Sequence, residues 1–173
     1  AVHVPLEATE EYLERFPDME PESRRIHAAM TAALDDGVGE VLDALRKNGL
    51  EDDTLLFFIS DNGALTLVEG EQFARNEPLK GGKLTPYEGG VRIPYLVQWP
   101  GRIPAETVYR RPVSSLDVVP TVLAAAGIGR PSDVTLDGVD LVPYLNDRGS
   151  GSPHDVLCWR YGPNRAVRKG RWK

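Results

Sequence analysis

The feature that constrains this chain most is an unbroken apolar stretch, Leu55-Leu56-Phe57-Phe58-Ile59, framed by Thr54 and Ser60 and preceded by a short acidic loop, Glu51-Asp52-Asp53. A run this short is of strand length, and without polar alternation it asks for cover on both faces. Entered from a helix, it reads as a central strand of a parallel sheet. The helical pattern before it spans 21–47, where Ile26, Met30, Leu34, Val38, Val41, Leu42 and Leu45 recur at spacings of three and four along one face. Pro21 suits the first turn, Glu20 and Glu22 the positive start, and Arg46 and Lys47 the negative end. Asn48-Gly49 supplies a left-handed stop. Gly37 and Gly39 inside this helix each cost up to about 1 kcal/mol against Ala; close packing against a neighbour would account for them, as would a tolerated weakness.

A second strand is predicted over 93–99, ending at Pro100-Gly101, with Pro94 at its start where no ladder donor is needed. A second helix lies near 117–126, with Ser114, Ser115 or Asp117 as cap and Gly127 as stop, and Pro120 confines its start. Residues 136–145 read as a turn and a short helix, and 146–153 as a Gly/Ser/Asp loop. Two strand-like runs, 155–161 and 165–173, flank Gly162-Pro163-Asn164 as a hairpin. The order of helix, strand, strand and helix with short turns defines an α/β fold. Residues 1–150 form its main domain, and 151–173 begin a small antiparallel C-terminal subdomain.

At 173 residues the chain suffices for one domain with a real core. A net charge of −6 argues against a nucleic-acid partner. Basic residues gather only at the end, in Arg160, Arg165, Arg168, Lys169, Arg171 and Lys173, where interrupting aromatic and small residues suggest solvated strand faces. The single cysteine, Cys158, has no partner within the chain for a disulfide. No run approaches the ~18 apolar residues of a bilayer span, so no membrane partner is expected.

Chemistry concentrates after the apolar strand. Ser60-Asp61-Asn62-Gly63 places a carboxylate and a carboxamide just beyond the strand's carboxyl end, where ligands of open α/β sheets bind. Both offer hard oxygens of the kind that Ca²⁺ or Mg²⁺ accepts, and Gly63 leaves room for a ligand. The same tripeptide is also ordinary turn chemistry. Further on, Gly81-Gly82-Lys83-Leu84-Thr85-Pro86-Tyr87-Glu88-Gly89-Gly90-Val91-Arg92-Ile93-Pro94 brackets a lysine between glycine pairs that let a backbone approach a bulky ligand. Lys83 could set an ammonium on an anionic oxygen, or the segment could be a flexible, solvated loop.

Taken in order, these segments resemble the sulfatase family of the alkaline-phosphatase-like superfamily. The resemblance rests on Ser-Asp-Asn-Gly after an apolar strand, then Gly-Gly-Lys-x-Thr-x-x-Glu-Gly-Gly-x-Arg-x-Pro, then a strand ending in Trp-Pro-Gly. It continues in Ala33-Leu34-Asp35-Asp36-Gly37-Val38-Gly39, in Asp117-Val118-Val119-Pro120-Thr121-Val122-Leu123, in Leu136-Asp137-Gly138-Val139-Asp140-Leu141 and in the segment from Ala166 to Lys173. The resemblance implies a partial alkaline-phosphatase-like sheet with flanking helices. It implies Asp61 and Asn62 as ligands of a divalent metal, Ca²⁺ first and Mg²⁺ second. Lys83 would hold the sulfate, and His3, in His3-Val4-Pro5-Leu6, would reach the sulfate or the leaving oxygen. His27 and His154 are assigned structural or solvated positions.

The activity implied is hydrolysis of a sulfate monoester, borne by a small molecule or a carbohydrate, through attack of a hydrated formylglycine on sulfur. That nucleophile arises from a Cys/Ser-x-Pro-x-Arg motif, and the 173 residues hold none; Cys158 is followed by Trp159-Arg160-Tyr161. The chain is therefore expected to be the carboxy-terminal part of a longer catalytic domain, inactive without its amino-terminal half, with a periplasmic or extracellular location implied. Two rivals stand beside this reading. A phosphoester hydrolase of the same superfamily would want a second metal, yet no histidine follows Asp61 until His154. A non-catalytic, anion-binding or structural fragment would lack the nucleophile altogether.

Overall fold

The computed structural model describes residues 2–68, 71–146 and 151–173. The chain divides into two compact units, one of residues 1–49 and 62–93 and the other of 50–61 and 94–173. Within the first unit a short helix, α1 (Glu10–Leu13), leads into α2 (Glu22–Lys47). Pro21 occupies the cap with extended backbone, one position before the predicted first turn. The end follows the sequence: Asn48 Nδ2 donates to the carbonyl of Ala44 at 2.8 Å, and Gly49 takes a φ of +67°, the left-handed stop. α1 lies along α2, where the Arg25 guanidinium donates to the Leu13 carbonyl and Arg15 pairs with Asp36 at 2.9 Å.

Only the first half of the α2 apolar face is well covered. Ala29 is fully buried, whereas Leu34 and Val41 are exposed. A Cβ at Gly37 or Gly39 would meet nothing within 4 Å. Among the described residues, no neighbour packs closely enough to require either glycine. His27 is half-buried edge-on against Phe73, with ring centroids 5.3 Å apart, and burial pushes its pKa below the usual histidine value. The unit also holds a two-stranded antiparallel ribbon, β2 (Leu67–Val68) with β3 (Glu71–Gln72), and a one-turn helix, α3 (Glu88–Val91).

In the second unit the apolar run forms β1 (Leu56–Ile59), and the second predicted strand forms β4 (Tyr95–Gln98). They pair antiparallel, Leu56 opposite Gln98 and Ile59 opposite Tyr95, and not in the parallel ladder expected from the apolar run. Uniform apolarity reports which faces want cover, and carries no information about the direction of a partner strand. Cover is also incomplete, since Phe58 and Leu96 are exposed on this ribbon. Phe57 and Tyr95 meet edge-to-face at 6.2 Å.

The predicted second helix begins as a 3₁₀ turn, Ser115–Asp117, and continues as α4 (Val118–Ala125). Ser114 and Asp117 form a capping box, in which the Ser114 amide donates to Asp117 Oδ2 at 2.7 Å and the Leu116 amide to Ser114 Oγ. Pro120 falls in the first turn, where its missing N–H leaves nothing unsatisfied. Asp117 is wholly buried, and its carboxylate also accepts from the Val139 amide and from His154 Nε2, both at 2.9 Å. Thr121, equally buried, donates to the Asp117 carbonyl and accepts from the Leu141 amide. This polar clasp ties α4 to the start of α5 (Val142–Leu145) and gives His154 the structural position expected of it. Burial first, and the Asp117 carboxylate second, push the Tyr95 hydroxyl up to about 12.

The predicted loop over 146–153 falls partly on 147–150, which lie outside the described residues. Beyond it, β5 (Val156–Tyr161) and β6 (Asn164–Lys169) form the expected hairpin around Gly162-Pro163. Cross-strand partners share a face, so Val156, Cys158, Arg160, Arg165, Val167 and Lys169 stand on one side, and all six are exposed. Leu157, Trp159, Ala166 and Arg168 on the other side are partly covered.

Candidate functional site

Asp61 and Asn62 follow β1 directly, as the sequence predicted. Asp61 is exposed; Asn62 is half-buried, and its Nδ2 donates to the Gly63 carbonyl at 3.1 Å, which orients the amide. Beyond them the backbone enters a tightly interlocked segment. The Gly63 amide donates to the Gly90 carbonyl at 2.9 Å, the Gly89 amide to the Lys80 carbonyl at 2.8 Å and the Lys83 amide to the Ala64 carbonyl at 3.1 Å.

The glycines make this approach possible. A Cβ on Gly63 would lie 1.7 Å from the Gly89 oxygen, and one on Gly89 would lie 2.1 Å from the Gly81 oxygen. A Cβ on Gly90 would meet the carbonyl oxygens of Thr85 and Gly82, and one on Gly82 that of Ala64. The space that the sequence suggested for a ligand at Gly63 is taken by the protein's own backbone. The glycines hold residues 63–64 and the 80–90 loop together, and the segment around Lys83 is a pinned structure instead of a flexible loop.

Asn76 completes the lock. Its Oδ1 accepts from the Ala64 amide and its Nδ2 donates to the Ala64 carbonyl, both at 3.0 Å, so one side chain pairs with the backbone as a strand would. Thr85 Oγ1 donates to the Gly82 carbonyl at 2.7 Å. Sequence reasoning missed Asn76, because Arg75-Asn76-Glu77 reads only as turn-forming and its partner lies 12 positions earlier.

Lys83 leaves this segment with its ammonium 3.0 Å from Nε2 of His3, 80 positions away in sequence. The Nδ1 of the same imidazole lies 2.8 Å from the Val4 carbonyl. An ammonium can only donate and a carbonyl can only accept, so the pair of contacts selects one tautomer: Nδ1 carries the proton and Nε2 the lone pair. The His3 side chain is exposed and Lys83 is half-buried, so the pair stays open to a ligand. The fold thus brings together two of the sequence-predicted residues, His3 and Lys83, inside the first unit.

Asp61 and Asn62 fit a hard divalent cation in donor type, offering a carboxylate and an amide oxygen. They would fill two positions of a shell that takes six to eight oxygens for Ca²⁺. Among the described residues no three His, Cys, Asp or Glu side chains gather into a group that could hold a metal ion. A cleft of about 360 Å³ in the second unit is lined by Trp99, Arg102, Asp140 and Asn146 among others, and none of the four candidate residues forms its walls.

A family profile described as Sulfatase matches residues 1–128, and the chain belongs to that family. It is 36% identical over 161 residues to an uncharacterized sulfatase, YdeN, of Escherichia coli K12, covering 92% of this chain and 28% of the relative. With the N-acetylgalactosamine-6-sulfatase of Canis lupus familiaris it shares 34% identity over 173 residues, 100% of this chain and 32% of the relative. The chain therefore spans about a third or less of the curated relatives that it matches. Among solved structures, Ps i-CgsB in complex with k-i-k-neocarrahexaose superposes with a TM-score of 0.85 at 36% identity, covering 98% of this chain and 38% of that one. The PsFucS1 sulfatase from Pseudoalteromonas sp. gives a TM-score of 0.78 at 31% identity, over 96% of this chain and 32% of that one. The described strands are small antiparallel ribbons, and the fold they belong to is the alkaline-phosphatase-like fold of these sulfatases.

Proposed function

We propose that this chain forms part of a sulfatase hydrolysing sulfate monoesters of carbohydrates, with Lys83 and His3 acting on the sulfate and Asp61 and Asn62 on a divalent cation. The observation that carries the reading is the 3.0 Å contact between half-buried Lys83 and exposed His3, which converge from opposite ends of the first unit's sequence. The sulfatase relatives and a neighbour solved in complex with k-i-k-neocarrahexaose support the substrate class.

Lys83 has three N–H donors, and His3 takes one of them. The others are available to non-bridging sulfate oxygens, where negative charge persists through the reaction and a preorganised cation is worth most. The backbone lock around Gly82 and Ala64 restrains the Lys83 main chain, so little ordering remains to be done when substrate arrives. As the ester S–O bond breaks, the leaving oxygen takes a proton from Lys83 directly, or from His3 once its Nε2 has taken up a proton from the Lys83 ammonium.

A bound Ca²⁺, or Mg²⁺, would add Lewis-acid charge at the sulfate oxygens, held in part by Asp61 and Asn62. The formylglycine nucleophile that the family resemblance implies would come from sequence outside these 173 residues, since none of them stands in a Cys/Ser-x-Pro-x-Arg segment. The test is sulfate release from an aryl sulfate and from a sulfated oligosaccharide, assayed for the 173 residues alone and for a polypeptide that also carries such a segment. Turnover is expected only from the second. Robust turnover by the 173 residues alone would overturn the assignment of roles.

A further inference from the structure

The Asn76 carboxamide bonds to one residue twice, and the two halves of that contact lead to different candidate site residues. Oδ1 accepts from the Ala64 amide and Nδ2 donates to the Ala64 carbonyl, both at 3.0 Å. A main-chain N–H only donates and a carbonyl only accepts, so the chemistry fixes which end of the side chain is which. The Ala64 amide shares a peptide plane with the Gly63 carbonyl, and that carbonyl accepts from Asn62 Nδ2 at 3.1 Å. The Ala64 carbonyl lies in the next plane, and it also accepts from the Lys83 amide at 3.1 Å. Through its oxygen the side chain thus holds the peptide that orients Asn62. Through its nitrogen it holds the acceptor of the Lys83 main chain.

The surrounding geometry keeps the carboxamide in place. The Leu79 amide donates to the Asn76 carbonyl at 2.9 Å, closing a turn. A Cβ on Gly82 would lie 2.8 Å from Asn76 Nδ2 and 2.6 Å from the Ala64 oxygen, so only a glycine before Lys83 admits the asparagine. The other edge of the Gly82–Lys83 peptide is held as well, because the Gly82 carbonyl accepts from the Thr85 hydroxyl at 2.7 Å and from the Thr85 amide at 3.1 Å. Lys83 starts from a peptide fixed at both edges, and its ammonium ends 3.0 Å from His3 Nε2. A shift of that peptide is carried along the side chain to the ammonium, and misplacing a reacting group by about 1 Å costs on the order of 10²-fold in rate.

We propose that Asn76 is a positioning residue for sulfate ester hydrolysis: it ties the Lys83 main chain to the backbone that carries Asn62, and so keeps the sulfate-binding lysine and the candidate cation ligand in register. The roles of Lys83 and Asn62 rest on the sulfatase reading above, whereas the tie itself rests on hydrogen bonds made within the first unit. Asn76 acts through Lys83 and has no need to touch substrate.

The test uses the complete enzyme and Asn76→Asp, which matches asparagine in size. Its carboxylate can still accept from the Ala64 amide, which keeps the Asn62 side, and cannot donate to the Ala64 carbonyl, which releases the Lys83 side. Thermal unfolding verifies that the variant is folded, and kinetics are measured on an aryl sulfate in excess Ca²⁺. The expected result is kcat/KM lowered by about tenfold, the scale of one net hydrogen bond. With Lys83 already replaced by alanine, the same substitution should cost less than about twofold. Exchange of the Lys83 amide hydrogen should quicken by about tenfold, while the amides of α2 keep their wild-type rates. Equal losses in the two backgrounds would reduce Asn76 to a structural part and overturn the proposal. So would unchanged kcat/KM, or faster exchange spread evenly over α2. Should Asn76→Asp not fold, Asn76→Ser, uncharged and able to make one of the two bonds, is held to the same exchange outcomes. Amide exchange is independent of the reaction: wild-type enzyme that releases no sulfate refutes the proposed function, and the exchange at Lys83 still decides whether Asn76 holds it.

Discussion

The ammonium of Lys83 lies 3.0 Å from Nε2 of His3, and the imidazole's other nitrogen faces the Val4 carbonyl, so the lysine fixes the tautomer of the histidine. This makes the two residues one unit. Replacing either leaves the other without its orienting partner, and the effects should not add. In the complete enzyme, Lys83→Ala and His3→Ala should each lower kcat on an aryl sulfate by about 10²–10³-fold. The double variant should fall well short of the product of the two losses. Steady-state kinetics on the three variants decides this; full additivity would mean that the contact is incidental to turnover.

Metal dependence should separate Asp61 from Lys83. Asp61→Ala removes an anionic oxygen donor that follows β1, and excess Ca²⁺ or Mg²⁺ should restore part of its activity by mass action. Lys83→Ala should show no such recovery. Titrating each variant with the cation while following sulfate release makes the comparison, and identical metal responses would remove Asp61 from the metal site.

The glycine lock and the helix glycines should respond to alanine with opposite signs. Gly89→Ala would drive a Cβ to 2.1 Å from the Gly81 oxygen, a backbone atom that cannot swing aside. It should destabilise the fold by about 1–3 kcal/mol or more. Gly37→Ala meets nothing within 4 Å in a helix interior and should stabilise by up to about 1 kcal/mol. Urea unfolding of the two variants reads both signs directly.

Stability should fall on acidification, in part through His27. Burial lowers its folded pKa below 6.5, so the unfolded chain takes up the proton first. The contribution is therefore intact above about pH 6.5 and is lost as pH falls through the lower folded value. Melting temperature measured from pH 7.5 to pH 5 should decline less steeply in His27→Gln than in wild type. Parallel profiles would show that His27 is exposed to solvent when folded.

Asp117 should be among the least replaceable side chains of the second unit. Its wholly buried carboxylate accepts from the amides of Ser114 and Val139 and from His154. Asp117→Ala would leave buried donors without an acceptor, and a loss of about 3 kcal/mol or more is expected. A thermal shift smaller than that seen for Arg15→Ala, which breaks an exposed pair with Asp36, would contradict the account.

Local signals determined the elements of this protein. The spacing of apolar residues in α2, the stop at Asn48-Gly49, the cap at Ser114 and Asp117 and the hairpin turn at Gly162-Pro163 each involve residues within a few positions of one another, and each forms where the sequence predicts. The positions of Asp61 and Asn62 just beyond the end of β1 were legible for the same reason. Tertiary structure decided what was non-local. The antiparallel pairing of β1 with β4 depends on the path of the chain between them, which an apolar run does not encode. The role of the glycines was inverted, because their missing side chains admit carbonyls from other turns of the same loop, and only the folded path shows which atoms arrive. Asn76 pairing with Ala64, His154 with Asp117, Arg160 facing Arg165 and the shared hydrogen bond of His3 and Lys83 are all products of distance in space, set by packing and register that no short window of sequence contains.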